Sequence, residues 1–178
     1  MRAAVWTVTP LVGSPNLQIT IETFGFSAVP VEGGFSLRIP GQVASAKHGT
    51  PDVPRLAIML PGVKGYRAVL TLEGKDPTNV MDVGVASAEG FRLDDPESPM
   101  RVLKAYRKPD PGIFGQNQLW PSELCRLEEG SIGTQKVVRV ECCPLQYNPL
   151  TRMIRFYRRL EGELRFEPKT SVLEYPLP

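Results

Sequence analysis

"KVVRVECCPLQYNPLTRMIRFYRRLEGELRFE", Lys136 to Glu167, is the stretch whose reading decides the fold. Ahead of its central prolines, Val138, Val140 and Cys142 lie on one side of an extended chain and Val137, Arg139, Glu141 and Cys143 on the other, because side chains alternate along a strand. Beyond the prolines, Ile154, Phe156, Leu160, Leu164 and Phe166 share one parity, while Arg155, Arg159, Glu161, Glu163 and Arg165 share the opposite one. A helix would scatter these residues around its circumference; a strand sorts them. Arg158 alone breaks the inner row, which predicts a bulge or a guarded sheet edge there. Asn148-Pro149 is a turn signal, since proline presets φ and asparagine tolerates turn geometry. The expectation is a two-stranded hairpin of unusual length built from both runs.

The same period recurs upstream. "NLQITIETF" sets Leu17, Ile19 and Ile21 against Gln18, Thr20 and Glu22, and "FSLRI" repeats the pattern through Phe35, Leu37 and Ile39. "RLAIML" is apolar enough for a more buried strand, and after the turn "PGVKG" the run "YRAVLTLEG" alternates through Tyr66, Ala68, Leu70 and Leu72. "TNVMDVGVAS" reads as a weaker strand. Neighbouring strands along the chain suggest a meander. From Glu89 to Pro121 neither period is present, so this proline-rich, charged region reads as surface loops, with a short helical turn beginning near Ser122. A long ordered loop is a common carrier of function.

Composition agrees with a β protein. The 178 residues form one domain, 1–178, with 42% hydrophobic and 22% charged residues, an ordinary globular balance. The 18 prolines are about twice normal usage and interrupt helices. The fold class is therefore all-β: a mostly antiparallel β-sandwich with long loops and little helix. Lys and Arg number 21 against 19 Asp and Glu, and a net charge of +2 names no nucleic-acid or anionic-membrane partner. No apolar run approaches the ~20 residues a membrane span requires, and Pro10 interrupts any signal-peptide core near the start. Three cysteines, two of them adjacent, do not form a disulfide framework, so the redox compartment stays open.

Catalytic and cofactor constellations are weak. A thiol nucleophile needs a histidine, and the single one, His48, is far along the chain from Cys125, Cys142 and Cys143. A zinc site from those four residues would require convergence, yet adjacent strand residues such as Cys142 and Cys143 point apart. "GGF" and "PGVKG" lack the strand-to-helix context of a phosphate loop. Asp94-Asp95 and Glu128-Glu129 read as solvated turn acids rather than acid–base pairs. Arg152, Arg155, Arg158 and Arg159 alternate with Glu161 and Glu163 as in a mixed-charge sheet face, so no nucleic-acid surface is expected. The residues point to no catalytic site, no metal and no cofactor, and they end at a non-enzymatic interaction domain.

"PLQYNPLTRMIRFYRRLEGELRF" resembles the end of the propeptide domain of gingipain-type cysteine peptidases through Pro144, Gln146, Tyr147, Asn148 and Pro149. "HGTPDVPRLAIMLP" is similar to that family's Gly-x-Pro-x-x-Pro segment through Gly49, Pro51 and Pro54, and "LWPSE" to its aromatic-Pro-x-Glu element through Trp120, Pro121 and Glu123. The three occur in order across roughly residues 48 to 167. "GTQKVVRV" departs from the family's frequent Arg-Gly before the penultimate strand. The resemblance implies a secreted or cell-surface pro-domain that helps a downstream cysteine peptidase domain to fold and covers its active site, with the catalytic Cys and His in that domain. It also implies that a mid-chain loop offers a basic side chain to the peptidase's specificity pocket. "GFRLDDPESP" occupies the corresponding place and makes Arg92 the inhibitory contact candidate, with Arg101, Lys104, Arg107 and Lys108 nearby and Gly90, Pro96 and Pro99 restricting the loop. The rival class is a free-standing surface β-sandwich that binds carbohydrate or another protein. Oligomeric state is not readable from the sequence.

Overall fold

A computed structural model describes residues 1–43, 46–95, 97 and 99–170. Its strands are β1 (Val5–Pro10), β2 (Leu17–Glu22), β3 (Ser27–Val31), β4 (Gly34–Arg38), β5 (Leu56–Pro61), β6 (Tyr66–Val80), β7 (Glu89–Leu93) and β8 (Leu103–Arg107). A single helical turn, α1 (Pro111–Phe114), precedes β9 (Cys125–Ile132), β10 (Gln135–Cys142), β11 (Leu145–Asn148) and β12 (Met153–Pro168). The chain is all-β, as its periodicity predicts.

β12 organises the larger sheet. Antiparallel β6 follows one of its edges from Ile154↔Val80 to Pro168↔Tyr66. The other edge is shared end to end, β11 pairing Met153 to Phe156 and β2 pairing Arg159 to Leu164, with β1 beyond β2. At the seam, Arg158 is skipped by the pairing with β6 and is exposed, and across from it Asp76 has a φ of 51°. Thr23 closes the gap: its N–H donates to Arg158 O at 2.8 Å and its hydroxyl to Tyr157 O at 2.6 Å. The break in the inner row is thus the junction where one neighbour strand stops and the next begins.

The second sheet runs β5-β10-β9. Ile154, Phe156, Leu160, Leu164 and Phe166 of β12 and Ile19 and Ile21 of β2 join Val138, Val140 and Cys142 of β10 and Leu56 and Leu60 of β5 in one buried cluster. Burying such side chains contributes about 1.5–3 kcal/mol each, so these inward rows hold the two sheets together. Gly162 sits where β6 comes closest: a Cβ there would lie 1.8 Å from Thr71 O, a backbone atom.

The connectivity differs from the sequence expectation. The long hairpin does not form, because β10 and β12 belong to different sheets. The chain crosses between them at Cys143 and Pro144, where proline's missing N–H ends the ladder, and only four-residue β11 turns back onto β12. The meander fails for a related reason: β5 and β6 follow one another in sequence but pair with β10 and β12 respectively. Alternation reports which face is buried and says nothing about which strand is next door. In "FSLRI", Leu37 and Ile39 are buried as expected, whereas Phe35 is exposed and Ser36 is buried beneath a hydrogen bond. "TNVMDVGVAS" continues β6 only to Val80, after which Val85 and Ser87 make isolated bridges to Phe35 and Pro51.

Three further expectations are corrected. Glu89 to Arg107 is a β7–β8 ribbon, and the helical turn begins at Pro111, where the Asp110 side chain accepts from Gly112 N at 2.8 Å. One disulfide is present: Cys125 and Cys142 stand directly opposite in β9 and β10, Cα atoms 4.1 Å apart, and their sulfurs are bonded. Cys143 stays free and buried, its thiol donating to Leu145 O at 2.8 Å.

Candidate functional site

Residues opposite one another in an antiparallel pair share a face, so the register of the β7–β8 ribbon sorts its side chains. Phe91 faces Ala105 and Leu93 faces Leu103 on one side; Gly90 faces Tyr106 and Arg92 faces Lys104 on the other. Among the described residues the ribbon pairs with no other strand. Apolar and polar positions alternate over only five residues in each strand, and Phe91, Leu103 and Ala105 of the apolar side are exposed, so the pattern marks no buried face that a sequence could reveal. Past the ladder, Asp94 N donates to Val102 O at 3.0 Å and the Asp94 carboxylate pairs with Lys104 at 3.5 Å.

The stem is held by a buried charge network. Arg107, at the end of β8, has a side chain only 8% exposed; it meets Asp52 Oδ2 at 2.9 Å and Glu89 at 3.4 Å. It also donates to Ser87 O. Asp52, 2% exposed, accepts from Ser36 Oγ at 2.6 Å and lies 3.6 Å from Arg38. The backbone around Asp52 is threaded between two segments: Leu37 N donates to Asp52 O, Asp52 N to Ala86 O and Ala88 N to Thr50 O, at 2.7–3.0 Å. Gly49 accepts from Asp110 N at 2.9 Å and holds a φ of 84°, a left-handed conformation that favours glycine. Next to it the His48 ring tilts against Tyr106 with centroids 4.7 Å apart, and its Nδ1 is 3.2 Å from Ala88 O. A Cβ on Gly90 would lie 2.6 Å from that nitrogen. "HGTPD" is thus a socket for the ribbon.

The candidates occupy distinct places. Arg92 is exposed on the stem with its guanidinium over the Tyr106 ring, 5.3 Å from the centroid, a cation–π contact that orients it. Arg101 lies beyond the ladder and is exposed, Lys104 pairs with Asp94, Arg107 is consumed by the socket, and Lys108 is exposed past the stem. Gly90 makes room for His48, Pro99 is exposed, and Pro96 lies outside the described residues.

Pro144, Gln146, Tyr147 and Asn148 are buried and Pro149 half-buried. Tyr147 exchanges both backbone hydrogen bonds with Trp120, each 2.8 Å. Gln146 Nε2 donates to Pro121 O at 2.8 Å while its Oε1 accepts from Tyr157 Oη at 3.0 Å, and Asn148 Nδ2 donates to Asn117 Oδ1 at 2.8 Å. The aromatic-Pro element is clamped by the Gln-Tyr-Asn motif. Tyr147 and Pro149 also line a cavity of about 350 Å³ together with Ser87 and Arg107, which links the motif to the socket.

Cys143 and Glu141 are both sealed in the interior. Burial pushes the Cys143 thiol up to about 12, against the partly offsetting hydrogen bond to Leu145, so it is no nucleophile. Buried Glu141 is ringed by Arg55, Arg126 and Arg139 at 2.8–3.0 Å, which makes it their shared counter-ion.

Sequence reasoning missed Asp52, Arg107 and His48 as a unit. Their separation along the chain hides them; an aspartate between two prolines in an otherwise apolar segment was the available signal.

The Propeptide_C25 family model matches residues 16–175. The chain belongs to the Propeptide_C25 family. It is a pro-domain of the gingipain type, and a Propeptide_C25 domain is non-catalytic. β1 precedes the matched region; the ribbon, the socket and the Gln-Tyr-Asn motif lie within it. Two solved structures share the fold. The complex of Porphyromonas gingivalis RgpB pro- and mature domains aligns with TM-score 0.70 at 17% identity, over 96% of this chain and 90% of that one. The structure addressing zymogenic latency of gingipain K, also from Porphyromonas gingivalis, aligns with TM-score 0.66 at 15% identity, over 94% of each chain. No curated protein matches the chain. No helix among the described residues is long and apolar enough to cross a membrane.

Proposed function

We propose that this Propeptide_C25 domain is made in one polypeptide with a secreted gingipain-type cysteine peptidase, assists its folding, and covers its active site until cleavage. The β7–β8 ribbon enters the cleft, and Arg92 is the side chain offered to a pocket carboxylate. One observation carries this reading: among the described residues the ribbon pairs with no other strand, yet its stem is fixed by the Asp52–Arg107 pair and the His48–Tyr106 contact. A pre-positioned stem loses less ordering entropy on binding, which favours inhibition. The catalytic Cys and His lie in the peptidase domain; here Cys143 is sealed and His48 props the ribbon.

A guanidinium forms two parallel charge-assisted bonds with a carboxylate. Arg92→Ala should therefore weaken inhibition of the cognate mature peptidase by about 2–5 kcal/mol with the fold intact, because it leaves the pocket charge buried and unpaired. Arg101 is the second reading, favoured by its place beyond the ladder; Arg101→Ala measured in parallel decides between them. An inhibition constant unchanged in both variants, or a cognate peptidase that does not cleave after basic residues, removes the basic contact. Refolding the denatured peptidase domain with and without this chain tests folding assistance, and equal yields would remove that role. The rival free-standing binding module predicts an open reading frame without a peptidase domain.

A further inference from the structure

We infer that the cavity of about 350 Å³ between the ribbon's socket and the Gln-Tyr-Asn motif binds a small apolar zwitterion, an amino acid or dipeptide. The ligand's carboxylate meets Arg152 and the hydroxyls of Ser87 and Tyr147, and its ammonium meets Glu32. Buried polar groups ordinarily find hydrogen-bond partners. Ser87, 2% exposed, and Tyr147, 3% exposed, each carry a hydroxyl with no partner among the described residues. Both residues line this cavity. Arg107 lines it too but is spent on Asp52, Glu89 and Ser87 O. Arg152 differs: its exposed guanidinium has no ion pair among the described residues, and its backbone holds a φ of 53°, which costs free energy for a residue with a side chain. Such outliers concentrate at ligand sites.

Gly84 anchors both charged residues. A Cβ on Gly84 would lie 3.3 Å from an Arg152 guanidinium nitrogen, so the guanidinium lies against the space the missing side chain leaves. The Gly84 carbonyl accepts from Phe35 N at 2.8 Å, and Gly34 approaches the same oxygen too closely for any side chain, which pins the β3–β4 turn that carries Glu32. Glu32 is exposed and likewise has no ion pair among the described residues. A guanidinium offers a carboxylate two parallel donors, and the two hydroxyls can donate as well. Ionised Glu32 can only accept. A simple anion would meet repulsion from Glu32 and a simple cation from Arg152, whereas a ligand carrying both charges satisfies each. Half-buried Phe114 and Pro149 line the remaining wall and suit an apolar side chain. The cavity stands at the lower end of the ~300–1,000 Å³ common for small-molecule pockets, which limits the ligand to an amino acid or dipeptide.

The free full chain is titrated with phenylalanine, with phenylalaninamide, which lacks the carboxylate, and with hydrocinnamate, which lacks the ammonium, by calorimetry and amide NMR. Phenylalanine should bind saturably and each analogue about ten- to a hundred-fold more weakly, the loss of one charge-assisted contact. The largest amide shifts should fall at Gly84, Ser87 and Arg152. Arg152→Gln should erase the preference for phenylalanine over its amide and keep that over hydrocinnamate; Glu32→Gln should do the reverse. Both residues are exposed, so thermal midpoints should match the wild type. Variants that weaken all three ligands alike would show a merely structural role and overturn the assignment. Glycyl-phenylalanine separates the two sources: tighter binding than phenylalanine assigns a dipeptide, weaker binding an amino acid, and either supports the site. No saturable binding of phenylalanine or glycyl-phenylalanine up to about 10 mM, or equal affinity for phenylalanine and both analogues, overturns it. Either failure leaves the proposed inhibition standing, because no peptidase enters the titration.

Discussion

Replacing Asp52 with alanine removes a carboxylate that touches Ser36, Arg38 and Arg107 together. Its neighbours differ in their means of recovery. Arg38 is 36% exposed and can regain water. Ser36, fully buried, loses its acceptor, and Arg107, 8% exposed, keeps only Ser87 O and the 43% exposed Glu89 at 3.4 Å. Breaking a buried ion pair from one side costs about 3–5 kcal/mol; the retained Glu89 and the hydration of Arg38 pull this toward the lower end, about 3–4 kcal/mol. At about 2–4 °C per kcal/mol for a domain of this size, the thermal midpoint should fall by about 6–16 °C. Asp52→Asn keeps shape and one acceptor, so it should cost about half as much. Urea unfolding followed by tryptophan fluorescence reads the loss, with Arg107→Ala and the double variant completing a cycle. The double variant should cost little more than either single change, because each already breaks the same pair. Additive losses, or an Asp52→Ala cost under about 1 kcal/mol, would refute the buried socket and leave the ribbon held by backbone contacts.

Thiol counting in denaturant should find one reactive cysteine before reduction and three after it, with Cys143 alkylated only once the chain unfolds. Because burial raises the Cys143 thiol from an ordinary 9.0 to about 12, the unfolded state releases its proton first, and this stability is lost as pH climbs between those values. The slope approaches about 1.4 kcal/mol per pH unit, and Cys143→Ala should remove it from the alkaline limb of a stability–pH curve; an identical limb would refute the sealed thiol. Gly162→Ala should cost about 3 kcal/mol or more, since its methyl meets Thr71 backbone that cannot step aside, and an ordinary expression yield with an unchanged midpoint would contradict this. Gln146→Ala strands both Pro121 O and Tyr157 Oη, and should cost about 2–4 kcal/mol by the same urea assay, with faster amide exchange at Trp120.

Arg92 was singled out by the resemblance alone; in the structure it is exposed on the ribbon with its guanidinium over the Tyr106 ring. That the segment is a ribbon was hidden, because its strands are only five residues each and Phe91, Leu103 and Ala105 of their apolar side are exposed rather than buried. The disulfide was hidden too: Cys125 and Cys142 become partners only through the register of β9 against β10.

By itself the sequence determined the strand content and the inward rows. Ile19 and Ile21, Val138 and Val140, and Ile154 through Phe166 declare their buried faces through a period set by the local backbone geometry of an extended chain. Strand neighbours were decided only by the tertiary structure. β12 takes β6 along one edge and divides the other between β11 and β2, a choice governed by matched length, shape and burial across distant segments rather than by any local signal. The Asp52–Arg107 pair belongs to the same class. Its residues stand 55 positions apart, and each becomes stable in a low-dielectric interior only when the fold delivers the other charge.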